Sequence, residues 1–442
     1  MSSGTANMVG PGHRLFAEPT VSPDETSFQV RNDDQSYYNS VYFKQHSAQL
    51  QPVPTGPPSA PLTLESVVGK GFLAPIVATE KLCFHSAGDT GASKLAAIGT
   101  EASVADAMVK DLEQDPSLAP AFFFHLGDVI YNFGEAEYYY DQFYEPFRDY
   151  DRPIFAIPGN HDGICRYGAD PTTPLAPTLS AFLRNFCAPT AGRSPDSGAL
   201  MRSTMTQPGV YFTLDAPFVS IIGLYTNVLE GPGVISSQGG NYPTMNDDQL
   251  HWLTSELTRL KEPAGRRTRA VVIACHHPPA SADEAHGGAT GHAADMDAAC
   301  TEAGFWPDAV VSGHAHLYQR FTRTVNGRQI PYIVAGSGGH ATTLPMGEVI
   351  GRAPLTWGEY TLVKDPLLQY GYLTVTADWT QPAAPTLTFD FQAPKDTTAR
   401  DIVTVDLVTG ALSPTTPTPS PAPAPKRRHR TRKPHPSPTL QR

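Results

Sequence analysis

Apolar residues fall into short runs along most of the chain, each closed by glycine, proline or a polar side chain. KLCFHSAGD (81–89) predicts a buried strand ending at Gly88–Asp89, and AFFFHLGD (121–128) and RPIFAIPGNHD (152–162) repeat that form. GVYFTLDAPFVSIIGLYTN (209–227) predicts two strands joined at a proline turn. RAVVIACHHPP (269–279), PDAVVSGHAH (307–316) and IPYIVAGSGG (330–339) predict three more strands. Helical stretches lie between them. SKLAAIGTEASVADAMVKDLEQD (93–115) puts Val104, Met108 and Leu112 at helix spacing, and EAEYYYDQFYEPF (135–147) and DDQLHWLTSELTRLK (247–261) predict further helices. Later segments, YGYLTVTADW, TLTFDFQ and DIVTVDLVT, alternate apolar and polar positions as antiparallel strands completing the same domain. A strand, a polar residue at its carboxyl end and then a helix is the α/β repeat, which places ligands outside those strand ends.

The two ends of the chain break the pattern. Residues 1–77 are rich in Ser, Pro, Asn and Gln and read as a polar, partly ordered extension of a domain spanning 78–410. Residues 411–442 form a Pro-rich basic tail with polyproline character, and its KRRHRTRK run (426–433) reads first as a solvated charged segment. From residue 412 onward there are seven Lys or Arg and no acid, so the net charge of −11 leaves −18 on the rest of the chain. An acidic body excludes a phosphate-tracking nucleic-acid surface, but not a small phosphoester held by cations. With no apolar run of membrane-spanning length, no transmembrane helix is expected. The first residues lack the order of a secretory signal, which points to the cytoplasm and leaves secreted or periplasmic placement open. Five scattered cysteines without a CxxC pair exclude a zinc ribbon; buried thiols are expected, with a Cys165–Cys187 bridge as the alternative.

Five predicted strand ends carry groups that can bind a metal: GDTG (88–91), GDVIY (127–131), GNHD (159–162), the His276 end and GHAH (313–316). Singly, each is an ordinary turn or cap. Together they supply aspartates, an amide and several histidines in a form that turns alone do not require. Two cations about 3.5–4 Å apart can clamp the attacking and leaving oxygens of a phosphoryl displacement and activate a water at neutral pH. A bridging carboxylate holds such cations together, while imidazoles and an amide fill the shells without excess charge. Tyr131 adds a phenol, whose pKa near 10 demands a strongly acidic cation and so favours Fe(III).

These blocks resemble the calcineurin-like metallophosphoesterases and, among them, the purple acid phosphatases. The resemblance spans roughly residues 80–320 and implies a four-layer αββα sandwich of two mixed β-sheets around a dinuclear site. The first block has Asp89-Thr90-Gly91 where many relatives carry an Asp-x-His histidine, and Tyr131 stands where the purple subgroup has its tyrosine. By this likeness Asp89, Tyr131 and His316 would hold Fe(III), and Asp128 would bridge. Asn160, His276 and His314 would hold a second, divalent metal (Fe, Zn or Mn). His161 would contact the substrate phosphate. His286, ten positions after His276, would protonate the leaving group, with His277 and His292 as competitors because residues 277–285 depart from the family's aromatic pattern. Tyr318 and Arg320 would support the last loop. Residues 1–77 are too short and polar for the N-terminal β-sandwich of the plant enzymes. The segments 164–188 and 236–244 would form the pocket rim.

The implied activity is hydrolysis of a phosphomonoester, a small substrate, by metal-activated hydroxide. A phosphodiesterase or nucleotide hydrolase on the same site is the alternative, and a non-catalytic scaffold of the same fold is a further one. The oligomeric state is not legible.

Overall fold

Strict alternation along the strands sorts the apolar residues into two cores on opposite sides of each sheet. The computed structural model describes residues 56–414 except 93–94, 116–117, 132, 165–175, 227–232, 240–245, 264–266 and 348. The chain opens with β1 (Leu62–Thr63), α1 (Leu64–Thr79), β2 (Lys81–Ala87) and α2 (Leu95–Asp111). Next come β3 (Phe123–His125), β4 (Ile154–Ala156), α3 (Asn160–Gly163) and α4 (Ser180–Phe186). The middle holds β5 (Phe212–Ala216), β6 (Val219–Gly223), α5 (Asp248–Leu260), β7 (Ala270–Cys275) and α6 (Thr290–Ala303). After these come β8 (Ala309–Ser312), β9 (Tyr318–Val325), β10 (Arg328–Ala335), β11 (Leu355–Trp357) and β12 (Tyr360–Leu362). The last strands are β13 (Tyr372–Asp378), β14 (Thr386–Gln392), β15 (Arg400–Asp406) and β16 (Leu412–Pro414).

One sheet has nine strands in the order β1-β5-β6-β7-β8-β10-β9-β12-β11, and the other seven in the order β16-β15-β14-β13-β2-β3-β4. Both are mixed. β2, β3 and β4 run parallel in one, and β6, β7, β8 and β10 in the other, with antiparallel strands beyond them. Phe122, Phe124, Val272, Ala274, Leu373 and Val375 belong to the core between the sheets. Their sequence neighbours Phe123, Val271, Ile273 and Cys275 face the other way, into a core shared with Val104 and Met108 of α2, Leu253 and Leu257 of α5, and Met296 and Cys300 of α6. The result is the four-layer αββα sandwich.

Several elements differ from the sequence pattern. Residues 135–147 do not form an α-helix. Ala136–Tyr138 makes a 3₁₀ turn and Tyr140–Tyr144 a π-helical one. These turns, one tighter and one wider than an α-helix, lie in a segment that buries Tyr138, Tyr139, Phe143, Tyr144 and Phe147. Helices α1, α3, α4 and α6 were not foreseen. α1 follows β1, which pairs with β5, and puts Leu64, Leu73 and Ile76 into the core between the sheets, so the described part of the N-terminal extension packs into the sandwich. Cys83, Cys187, Cys275 and Cys300 are free thiols; Cys165, the other half of the suggested bridge, lies outside the described residues. Of the two rim segments, 165–175 and 240–244 also lie outside them, as do residues 1–55 and the basic tail from 415. No described helix is long and apolar enough to cross a membrane.

α6 carries a feature with a measurable consequence. His292, in its first turn, is fully buried, and neither ring nitrogen has a hydrogen-bond partner among the described residues. Burial alone lowers its pKa to about 3. The unfolded chain therefore binds a proton near pH 6.5 that the folded chain refuses, and stability falls as pH drops through that value. Relative to pH 7.5, the loss at pH 5 is about 2 kcal/mol from this group. His292→Leu is expected to remove that increment, so urea midpoints of variant and wild type should converge, or cross in the variant's favour, on going from pH 7.5 to pH 5. A gap between them that does not change with pH would refute this.

Candidate metal centre

Each predicted ligand follows or precedes a strand just where two sheets present the carboxyl ends of their parallel strands. Asp89, Asp128 and Asn160 come after β2, β3 and β4 of the seven-stranded sheet. His276 and His314 come after β7 and β8 of the nine-stranded sheet, and His316 leads into β9. Three of these residues adopt the left-handed backbone region that disfavours L side chains: Asp89 (φ 60°), Asp128 (φ 55°) and His314 (φ 67°). Each such conformation costs of order 1–3 kcal/mol and persists only when its surroundings impose it. Glycines make the turns close enough. A Cβ on Gly159 would stand 2.1 Å from Asp128 Oδ1, and one on Gly313 2.6 Å from Asp89 Oδ2.

The side chains gather in two connected groups. In the first, Tyr131 Oη donates to Asp89 Oδ1 at 3.0 Å, and His316 Nε2 lies 3.4 Å from both the phenol oxygen and that carboxylate oxygen. The second Asp89 oxygen accepts the His314 backbone N–H at 2.8 Å. In the other group, Asn160 Oδ1 lies 2.9 Å from His276 Nε2 and 3.1 Å from His314 Nδ1. Asp128 Oδ1 accepts the His161 backbone N–H at 2.9 Å, and its Oδ2 lies 3.3 Å from His276 Nε2. Single ligand atoms from Asp128, His276 and His314 all fall within 4.8 Å of one another.

The chemistry of this donor set fits a cation. His276 Nδ1 is 2.9 Å from the Leu126 carbonyl, which can only accept, so the ring proton sits on Nδ1. A neutral His276 then turns the Nε2 lone pair toward an amide oxygen and a carboxylate oxygen, all acceptors. Asp128 Oδ2 is buried and accepts no hydrogen bond among the described residues. Without a cation the conflict falls on protons. Burial pulls the His276 pKa down, but Asp128 and then Asp89 outweigh it and push it up to about 9. Burial would raise Asp128, yet His276 and His161 hold it well below the usual carboxylate range. Burial, followed by the charges of Asp128 and Asp89, pushes the Tyr131 phenol well above its ordinary value. A bound cation would reverse the shifts of His276 and Tyr131 and hold Asp128 ionised. His314 stays neutral, driven down by burial and by the neighbouring imidazoles.

The remaining predicted residues lie at the same place. The His161 ring is 4.5 Å from that of Tyr131. The His286 ring is 4.5 Å from that of His314 and 5.2 Å from that of His316. His286 Nδ1 is held 2.8 Å from Asp283, whose carboxylate also accepts the backbone N–H groups of Ala285, His286 and Gly287 and the Ser281 hydroxyl. Of the competitors, His277 lies 4.3 Å from His314, with Nδ1 on Thr226 Oγ1 at 2.7 Å. Neither ring nitrogen of His292 has a hydrogen-bond partner among the described residues. Tyr318 and Arg320 both bind Asp401 of β15, at 2.7 and 2.6 Å, and so pin the start of β9 to the facing sheet.

Three supporting residues escaped the sequence reading. Gln142, in the π-helical turn, accepts from the Tyr131 N–H and donates to the Tyr131 carbonyl, both at 2.9 Å. Asp162 accepts the backbone N–H groups of Val129, Ile130 and Gly159, locking the second block to the third. Burial, then the charge of Asp128, raises the Asp162 pKa, and only those backbone donors offset it. His340 stacks on Tyr131. An acid next to GNH, a glutamine near an aromatic run and a histidine ending GSGGH were the available cues, and none is distinctive alone.

The calcineurin-like phosphoesterase family model matches residues 88–318, more than half of the 442-residue chain. Purple acid phosphatase 22 of Arabidopsis thaliana is 30% identical over 132 residues, which cover 28% of this chain. The matched stretch spans only 29% of that relative's length. Among solved structures, purple acid phosphatase PPD1 from yellow lupin (Lupinus luteus) seeds superposes with a TM-score of 0.49 at 14% identity, over 74% of this chain and 54% of that one. GAP50, the anchor in the inner membrane complex of Plasmodium, gives 0.47 at 13% identity, over 72% and 86%. With its family model running from the first aspartate block through the last histidine pair, the chain belongs to the calcineurin-like phosphoesterases.

Proposed function

We propose that the protein is a metal-dependent hydrolase of phosphomonoesters working through a dinuclear centre of the purple acid phosphatase kind. The observation that carries this reading is the buried convergence of lone pairs around Asp128 and His276, with Asp89, Tyr131 and His316 grouped beside it. Asp89, Tyr131 and His316 would hold Fe(III), Asn160, His276 and His314 a divalent Fe, Zn or Mn, and Asp128 both. When bound, the cations supply an activated water and neutralise charge on the phosphoryl oxygens.

The chain's own groups would do the rest. His161, whose backbone is tied to Asp128, orients the phosphate. Asp283 fixes the proton of His286 on Nδ1 when that ring is neutral and stabilises the imidazolium when both nitrogens are protonated. The protonated form can donate from Nε2 to the departing alkoxide. Burial would raise the Asp283 carboxyl, but its bonds from His286 and Ser281 hold it well below the ordinary range, so it remains an anion.

The test is direct. Protein loaded with iron and zinc should release phosphate from an aryl phosphate and absorb visible light through tyrosinate-to-iron charge transfer. A loaded protein that is colourless, or that cleaves a bis-ester faster than its monoester, overturns the reading. The role of His286 has its own signature. His286→Asn should slow hydrolysis of an alkyl phosphate by about 10²–10⁴-fold. It should slow a nitrophenyl phosphate much less, because that leaving group needs little protonation. Equal losses on both substrates would exclude the general-acid role.

A further inference from the structure

The last strand of the parallel set, β10, is followed by Gly336-Ser337-Gly338-Gly339, and the next residue is His340. The glycines bring this turn against the first aspartate block. A Cβ on Gly338 would stand 2.3 Å from the Gly88 carbonyl, and one on Gly336 2.9 Å from Asp89 Oδ2. The Gly338 N–H donates to Gly88 O, and the His340 N–H to Asp89 O, both at 3.0 Å. The His340 side chain, 4% exposed, then makes three directed contacts. Nδ1 lies 2.8 Å from the Gly91 carbonyl, which can only accept, so the ring carries its proton there. Its plane lies 9° from that of Tyr131, with the centroids 3.5 Å apart. Its edge meets the His316 ring at 5.3 Å and 73°.

Asp89, Tyr131 and His316 are the three residues assigned above to one cation alone, and His340 touches all of them. We propose that His340 is a positioning residue for that cation, acting by stacking on Tyr131 and fixing the plane of its phenol. This rests on the ligand reading above and extends it to a residue outside the motif blocks. The physical basis is orientation. Ring rotation leaves the phenol oxygen on its axis but swings the lone pairs that face a cation, and Tyr131 reaches the site from a loop rather than a strand. Gln142 fixes its backbone, but a side chain with two free torsions still needs a surface that fixes its plane. The His340 ring is that surface. Its own plane is held by the bond to Gly91 and the backbone bond to Asp89, so the loop carrying one ligand sets the angle of another.

Three substitutions in the full chain, loaded with iron and zinc, separate stacking from hydrogen bonding. His340→Phe keeps a flat ring and loses the donor to Gly91. His340→Asn keeps a donor near the Nδ1 position and loses the ring. His340→Ala loses both. The readouts are the visible charge-transfer band, the number of cations retained against a chelator, and a melting curve to establish folding. The Phe variant should keep two cations and a band close to wild type. Asn and Ala should shift and weaken the band and lose one cation at several-fold lower chelator concentration. An Asn variant matching wild type, or a Phe variant as impaired as Ala, overturns the proposal. If the wild type binds two cations without colour, the ligand role of Tyr131 fails, and cation retention by the Phe and Asn variants still decides the role of His340. Should the Ala variant not fold, the Phe and Asn pair carries the comparison alone.

Discussion

Asp128→Asn should reduce phosphate release by on the order of 10³–10⁴-fold while leaving the chain folded. The substitution suits the position unusually well. Asp128 has a φ of 55°, and asparagine is among the few residues that tolerate this region. An amide oxygen can still accept the His161 N–H that Asp128 Oδ1 takes at 2.9 Å, so the loop keeps its tie. The charge is lost. Two cations drawn to one site repel each other, and the bridging anion is what holds them together. Removing it forfeits several kcal/mol of charge stabilisation, and each 1.36 kcal/mol is tenfold in rate. Elemental analysis should show fewer than two cations per chain, while the melting profile of the metal-free protein stays near wild type. Retention of more than a tenth of the turnover would remove Asp128 from the bridging position.

The paired histidines of the last block should separate colour from turnover. His316→Ala is expected to bleach the visible band, because His316 Nε2 lies 3.4 Å from the Tyr131 oxygen and belongs to that group. His314→Asn should keep the band and lower turnover by about 10³-fold or more, since His314 Nδ1 lies 3.1 Å from Asn160 on the other side. Asparagine is again chosen for the backbone, as His314 has a φ of 67°. Its amide puts an atom near the Nδ1 position but is a far weaker ligand than an imidazole. Absorption spectra and phosphate release on the same samples decide the matter. Bleaching by the His314 change, with colour surviving the His316 change, would exchange the two assignments.

The strand-end residues were legible because each lies within two or three positions of a buried apolar run, so motif and element announce each other. α2 and α5 were legible for a similar reason, since Val104, Met108 and Leu112, or Leu250, Leu253 and Leu257, repeat at helix spacing. α6 was not. It buries Gly291, Asp295, Ala299 and Ala303 alongside Met296, and small or polar residues leave no apolar stripe to read. The 135–147 segment misled because its aromatic spacing fits an α-helix as well as the 3₁₀ and π-helical turns that form there. Asp162, Gln142 and Asp283 act through backbone N–H groups or through another side chain, and no sequence spacing encodes which amide will lie opposite them. His340 depends on the approach of β10 to β2 across the two sheets, a contact between residues about 250 apart in sequence.

Placing the site at the ends of strands from both sheets also has a mechanical meaning. Asp89, Asp128 and Asn160 ride on one sheet and His276 and His314 on the other, while side-chain packing and a few hydrogen bonds, such as Gly88 N–H to the Ala335 carbonyl, join the layers between them. Ligands shared in this way would make the cations a rivet across the seam. Sliding one sheet against the other by a fraction of an ångström would change both coordination shells at once, so the rigidity of the sandwich and the spacing of the catalytic ions become one quantity. The Asp401 clamp on Tyr318 and Arg320 spans the same seam and resists the same slide.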